Sequence, residues 1–201
     1  QNSDARDGEF CRADGRCSPK VFEFVIGNNP TEIMLPHEPN GKYDFYVLWG
    51  DETGNVSIEN AQHIVGSDSN NFKHIYTSGA SSYTLKIVGT YDGWRGYHTT
   101  YHIDLDGNIS TDANGTPKLH SKQFCKIDAD ENRVSLDQGV MNVINQTISN
   151  ITTVKSFGPV GLRACALQSD YLTFIPSNDI PDATKLNSMA GIFGRNMKDK
   201  I

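Results

Sequence analysis

The chain has 201 residues, enough to bury one large core or two small ones. Eighteen Lys and Arg against 24 Asp and Glu give a net charge of -6, which argues against nucleic acid or an anionic membrane surface as partner. No apolar run approaches the roughly 18 residues of a spanning helix, and 37% apolar content with 18 glycines describes a polar, turn-rich chain.

The start at Gln1, with no apolar signal region, fits a processed secreted chain, a segment trimmed to its folded part, or both. Residues 1–19 are polar and carry Cys11 and Cys17 around the turn pair Asp14-Gly15, so a local disulfide loop is expected there. A zinc site would need CxxC spacing, which is absent. The remaining two cysteines, Cys125 and Cys165, stand between a second disulfide and two small buried residues.

Strands follow at short, regular spacing, the signature of a β-sandwich. Residues 21–26 form the first and 31–35 the second, each closed by Pro, Asn and Gly. Residues 43–49 form the third. There Tyr43, Phe45, Val47 and Trp49 share one face while Asp44, Tyr46 and Leu48 share the other. Burial of such aromatics contributes roughly 1.5–3 kcal/mol each, which places this strand at the centre of its core. A weaker strand covers 57–65, and segments 72–77 and 83–88 complete the sheet pair. In the last of these Tyr83, Leu85 and Ile87 face one way, Thr84 and Lys86 the other.

Residues 91–98 are rich in aromatics and glycine, 101–105 read as a strand, and Asp106-Gly107 is a hairpin turn signal. Ser135-Leu136-Asp137-Gln138 has the form of a capping box, and Leu136, Val140, Val143, Ile144 and Ile148 recur at helical spacing, predicting a helix over 136–148. From 153 onward apolar residues come in short segments. Leu162-Arg-Ala-Cys-Ala-Leu and Met189-Ala-Gly-Ile-Phe-Gly lie in similar contexts at a separation that suits leucine-rich repeats, with barely two units visible.

Tyr91, Trp94, Tyr97 and Tyr101 are the ligand-binding candidates. Exposed, such rings stack on sugars or anchor a protein; buried, they plug the sandwich or an inter-domain seam, which is the favoured outcome for Trp94. Asp104, Asp106, Asn108, Ser110 and Asp112 alternate oxygen ligands like the opening of a calcium loop. An EF-hand needs Gly and Glu where Ile109 and Gly115 stand, so ordinary turn chemistry is favoured and a structural calcium is the alternative. Asp128, Asp130 and Asn132 fall short in the same way. His98 and His102 share a strand face without a third ligand, and no metal site or other cofactor is expected. No nucleophile elbow or phosphate loop is present, so no catalytic residue is assigned. Sequons stand at Asn55, Asn108, Asn114, Asn145 and Asn150.

The Trp49-Gly50-Asp51 turn, the His74-Ile75-Tyr76 strand and Tyr83-Thr84-Leu85-Lys86-Ile87 resemble the PKD type of immunoglobulin-like sandwich. Glu52 stands where that family usually has glycine, which implies a reshaped turn. Phe157-Gly158, the 162–167 segment and residues 180–193 resemble BspA-like leucine-rich repeats of surface proteins. The resemblance implies a mainly β chain in four parts. They are an N-terminal disulfide loop over 1–19, a PKD-like sandwich over 20–105, a connector with one helix over 106–152, and a repeat segment over 153–201. It further implies a secreted or surface-anchored, non-enzymatic adhesion protein whose partner is a host protein, a matrix protein or a glycan. The alternative is an accessory carbohydrate-binding module of a larger secreted enzyme.

Overall fold

Lys42-Tyr-Asp-Phe-Tyr-Val-Leu48 alternates ring and polar side chains, and that period of two decides which face of its strand turns inward. The computed structural model describes residues 9–11, 17–53, 61–97, 113–114, 136–158, 160–163, 165–169 and 171–173. A small hairpin pairs β1 (Glu9–Cys11) with β2 (Cys17–Pro19). The main sheet is built from β3 (Val21–Ile26), β5 (Lys42–Leu48), β6 (Gln62–Val65), β8 (Tyr83–Trp94), β9 (Ile151–Ser156) and β10 (Val160–Leu162). A second, two-stranded sheet pairs β4 (Glu32–Met34) with β7 (Lys73–Ile75), the latter entered through a 3-10 turn over Ser69–Phe72. One helix, α1 (Gln138–Ser149), lies against β4. The chain is mainly β with antiparallel sheets, as expected, and the two layers are compatible with a sandwich.

Strand order in the main sheet is β6-β5-β8-β3-β9, with β10 added alongside β8. The register puts Phe22, Phe24 and Ile26 of β3, Tyr43, Phe45 and Val47 of β5, and Leu85, Ile87 and Tyr91 of β8 on one buried face. The small sheet, the 3-10 turn and the helix cover that face. Phe72 packs edge-on against Tyr43 at 4.9 Å, and the Thr147 hydroxyl accepts the Met34 amide at 3.0 Å. Ile144, Thr147 and Ile148 form the helix's inward stripe. The opposite face of the main sheet is polar and solvent-facing, because Asp44, Tyr46, His63 and Lys86 alternate with the core residues.

Three expectations change. The helix is capped by Asp137, whose Oδ1 accepts the Gly139 amide at 2.7 Å, so its first residue is Gln138 and the Ser135 capping box is not the start signal. The strand expected over 83–88 runs on to Trp94, taking in most of the aromatic, glycine-rich stretch. The division expected between 152 and 153 falls inside β9, which pairs with β3 from Ile26↔Ile151 to Glu23↔Ser156. Val154, Phe157, Leu162 and Leu172 accordingly share one core with Phe22, Phe24 and Trp94. The expected strand at 101–105, the oxygen-rich runs at 104–112 and 128–132, and the second repeat unit at 180–193 lie outside the described residues.

Gly89 marks a close backbone approach between β5 and β8. Its φ is +117°, and a Cβ there would sit 2.5 Å from the Asp44 carbonyl oxygen and 2.8 Å from the Phe45 Cα, both backbone atoms of β5. Only glycine meets both demands. Gly89→Ala is expected to cost about 2–3 kcal/mol in urea unfolding, through backbone strain and separation of the β5–β8 ladder.

Candidate functional site

Gly50 turns the chain at φ +91°, with its missing Cβ occupying the place where a side chain would meet the Thr84 carbonyl at 2.6 Å. The turn folds Trp49 back onto His74, the rings stacking at 4.5 Å and 7°. His74 Nε2 then lies 3.0 Å from Asp51 Oδ2. Tyr76 donates its hydroxyl to the Trp49 carbonyl at 2.9 Å, and its ring stacks on Tyr83 at 3.6 Å. Burial pushes the Tyr76 phenol well up, with the Asp51 charge adding to it. Glu52, the departure from the PKD-like pattern, accepts the Trp49 and Gly50 amides with its two carboxylate oxygens. Its side chain therefore supplies a fastening that glycine would lack. The Trp-Gly-Asp turn spends its polar groups on itself and is scaffold.

A second cluster of charges closes the other end of the sheet. Arg163, just after β10, reaches Glu38 at 3.1 Å and also bonds Asp92 of β8, while Arg95 lies 3.6 Å from the second Glu38 oxygen. Burial works against the Arg163 charge, but the hydrogen bond to Asp92 and the charge of Glu38 outweigh it and hold the guanidinium above its ordinary value. Among the described residues the cluster brings the cations Arg95 and Arg163 to the carboxylates Glu38 and Asp92. Its role is to tie three segments of chain together.

The sequence-derived ring candidates separate on inspection. Tyr91 and Trp94 are fully buried, so their assignment as ligand-binding residues is corrected: β8 carries both inward, where Trp94 meets Phe22 edge-on at 4.8 Å and donates Nε1–H to the Ala166 carbonyl at 2.7 Å. Tyr91 donates its hydroxyl to the Pro36 carbonyl at 2.8 Å. Tyr97 is half-buried, donating to the His37 carbonyl at 2.7 Å with the Arg95 guanidinium over its ring at 5.4 Å. Tyr101 lies outside the described residues. Tyr91 and Trp94, being buried, offer no ring face for stacking on a sugar.

The exposed chemistry lies on the outer face of β5 and β6 instead. Tyr46 and Val65 are 41% and 59% exposed. The Tyr46 ring stacks on His63 at 4.3 Å and 9°, and His63 Nε2 lies 2.8 Å from Asp44 Oδ1. Register explains the grouping, since Tyr46 pairs with His63 and Asp44 with Val65. The alternation in 43–49 placed Asp44 and Tyr46 on the outer face; His63 and Val65 could be added only once the pairing of β6 was known.

Cys11 stands directly opposite Cys17 in the β1–β2 ladder. Cys165 is fully buried and is not a free thiol, while Cys125 lies outside the described residues. Among the described residues, no three His, Cys, Asp or Glu side chains converge as metal ligands do, and no helix is long and apolar enough to cross a membrane. No known protein family, curated protein or solved structure matches the chain.

The two kinds of ion pair separate in stability. Glu38→Gln removes the carboxylate that faces Arg163 at 3.1 Å and Arg95 at 3.6 Å, where both guanidinium side chains are largely withdrawn from water, and is expected to cost about 3 kcal/mol in denaturant unfolding. Glu23→Gln removes a pair whose Lys155 is 46% exposed and is expected to cost under about 1 kcal/mol by the same measurement.

Proposed function

We propose that this chain is a non-catalytic interaction module of a secreted or surface-displayed protein, a PKD-like sandwich completed by residues 151–167, and that it binds an extracellular protein through the outer face of β5 and β6. The observation that carries the reading is the exposed Tyr46–His63 stack beside Val65 and Asp44, mounted on a sheet whose other face is core. Tyrosine offers a large, stiff contact surface with a polar tip, the side-chain type enriched at the centres of protein interfaces. Because β5 is paired on both sides, with β6 and β8, the patch is held in place before any partner arrives, which lowers the ordering cost of binding.

A secreted setting is supported by the placement of the cysteines. Directly opposed residues in an antiparallel pair have Cα atoms about 4.5–5.5 Å apart, within disulfide reach, and such bonds persist in oxidising compartments. We assign the bridge Cys11–Cys17 on this reading.

An array of purified matrix proteins, host-surface proteins and glycans, probed with wild type and with Tyr46→Ala, tests the proposal. The variant is expected to keep its thermal midpoint, since Tyr46 lies outside the core, and to lose at least tenfold in affinity for a protein target. Equal binding by both proteins, or binding to glycans alone, would overturn the assignment of this face.

A further inference from the structure

We propose that His37 is an acid-released latch: on gaining a proton it loosens the layer formed by residues 32–38 and 69–76 from the main sheet, while β3, β5 and β8 stay paired. His37 is fully buried and stacks on Phe72 at 4.3 Å and 18°. Its Nδ1 is 2.9 Å from the Leu35 carbonyl, which only accepts, so Nδ1 carries the proton of the neutral ring. Nε2, 2.8 Å from Ser69 Oγ, is then the acceptor of the serine hydroxyl. The ring thus bridges the end of β4 to the 3-10 turn with both nitrogens used and no carboxylate on either.

A proton arriving at Nε2 reverses that second bond. Ser69 must turn its hydroxyl away and find another acceptor, and a charge sits where water is excluded. Among the described residues, the charged and titratable groups around the site do not offset this. Glu38, next in the chain, is engaged by Arg95 and Arg163, and Asp68 is turned to the Asn70 amide at the start of the 3-10 turn. Tyr91, Tyr97 and Tyr43 donate hydroxyls to the carbonyls of Pro36, His37 and Glu38. These three phenols fasten the layer to the main sheet, and all grip the three residues centred on His37. Disturbance there is transmitted to each of them.

Burial lowers the His37 pKa from its ordinary value, partly countered by the bond to Leu35. The sign follows: the unfolded chain takes up the proton near pH 6.5 and the folded chain resists it. Stability is therefore full above about pH 6.5 and falls as pH drops below it.

Hydrogen–deuterium exchange on the whole chain at pH 7.5 and 5.0, corrected for intrinsic amide rates, tests the latch. Protection is expected to fall at least tenfold at pH 5.0 in residues 32–38 and 69–76 and little in 83–91. In His37→Gln the difference between segments should vanish. Should that variant fail to fold, an NMR titration of the wild-type imidazoles decides. His37 staying neutral, with the proton on Nδ1, through pH 6.5 upholds the latch. A uniform loss of protection, an unchanged pH response in His37→Gln, or a His37 that takes up its proton at the ordinary imidazole value would overturn it.

Discussion

β8 offers one long edge to two different strands, and the rest of the architecture depends on that sharing. Its first half pairs antiparallel with β3, from Tyr83↔Ile26 to Val88↔Val21. Its second half pairs parallel with β10, from Tyr91↔Val160 to Trp94↔Leu162. Trp94 secures the arrangement: its ring fills the space beside Phe22 and Phe24, and its indole N–H is spent on the Ala166 carbonyl. A residue near the end of an N-terminal strand is thereby satisfied only by the C-terminal segment. The N-terminal strands and residues 151–167 complete one another, and the half-buried pairings of Arg163 with Glu38 and Asp92 repeat that dependence in charge.

Function is distributed around this frame rather than within it. The Trp49-Gly50-Asp51 turn consumes its own polar groups, which is what a structural site does. The outer face of β5 and β6 leaves Tyr46 and Val65 to solvent. His37 differs from both: it is a buried titratable group whose two nitrogens hold neutral partners, so its charge state bears on how firmly the smaller layer is seated.

Local patterns were legible in the chain and long-range partners were not. The alternation in 43–49 and 83–88 gave the correct inward faces, and the 3.6 period of Val140, Ile144 and Ile148 gave the helix to within about two residues. Glycine at 50 was recognisable because a turn with positive φ admits little else. The capping residue was missed by two positions, since Ser135 and Asp137 both carry suitable oxygens and only the backbone decides between them. The placement of Tyr91 and Trp94 was ambiguous for a deeper reason: glycines 93 and 96 suggest a loop, yet Gly93 lets the Tyr43 hydroxyl pass at 2.3 Å from where a Cβ would be. Nothing in sequence spacing shows that β9 pairs with β3 more than a hundred residues away. A change of texture at residue 153 therefore looked like a domain boundary.

The interdependence of the two halves is tested most directly by comparing residues 1–135 with the full chain in a proton–nitrogen NMR correlation spectrum. Without α1, β9 and β10 the shorter chain loses one of the two partners of β3, the partner of Trp94 and the cover over β4, and its spectrum is expected to show the narrow amide dispersion of an unfolded chain. A well-dispersed spectrum from residues 1–135 with cooperative unfolding would contradict the shared core and favour a self-standing N-terminal sandwich.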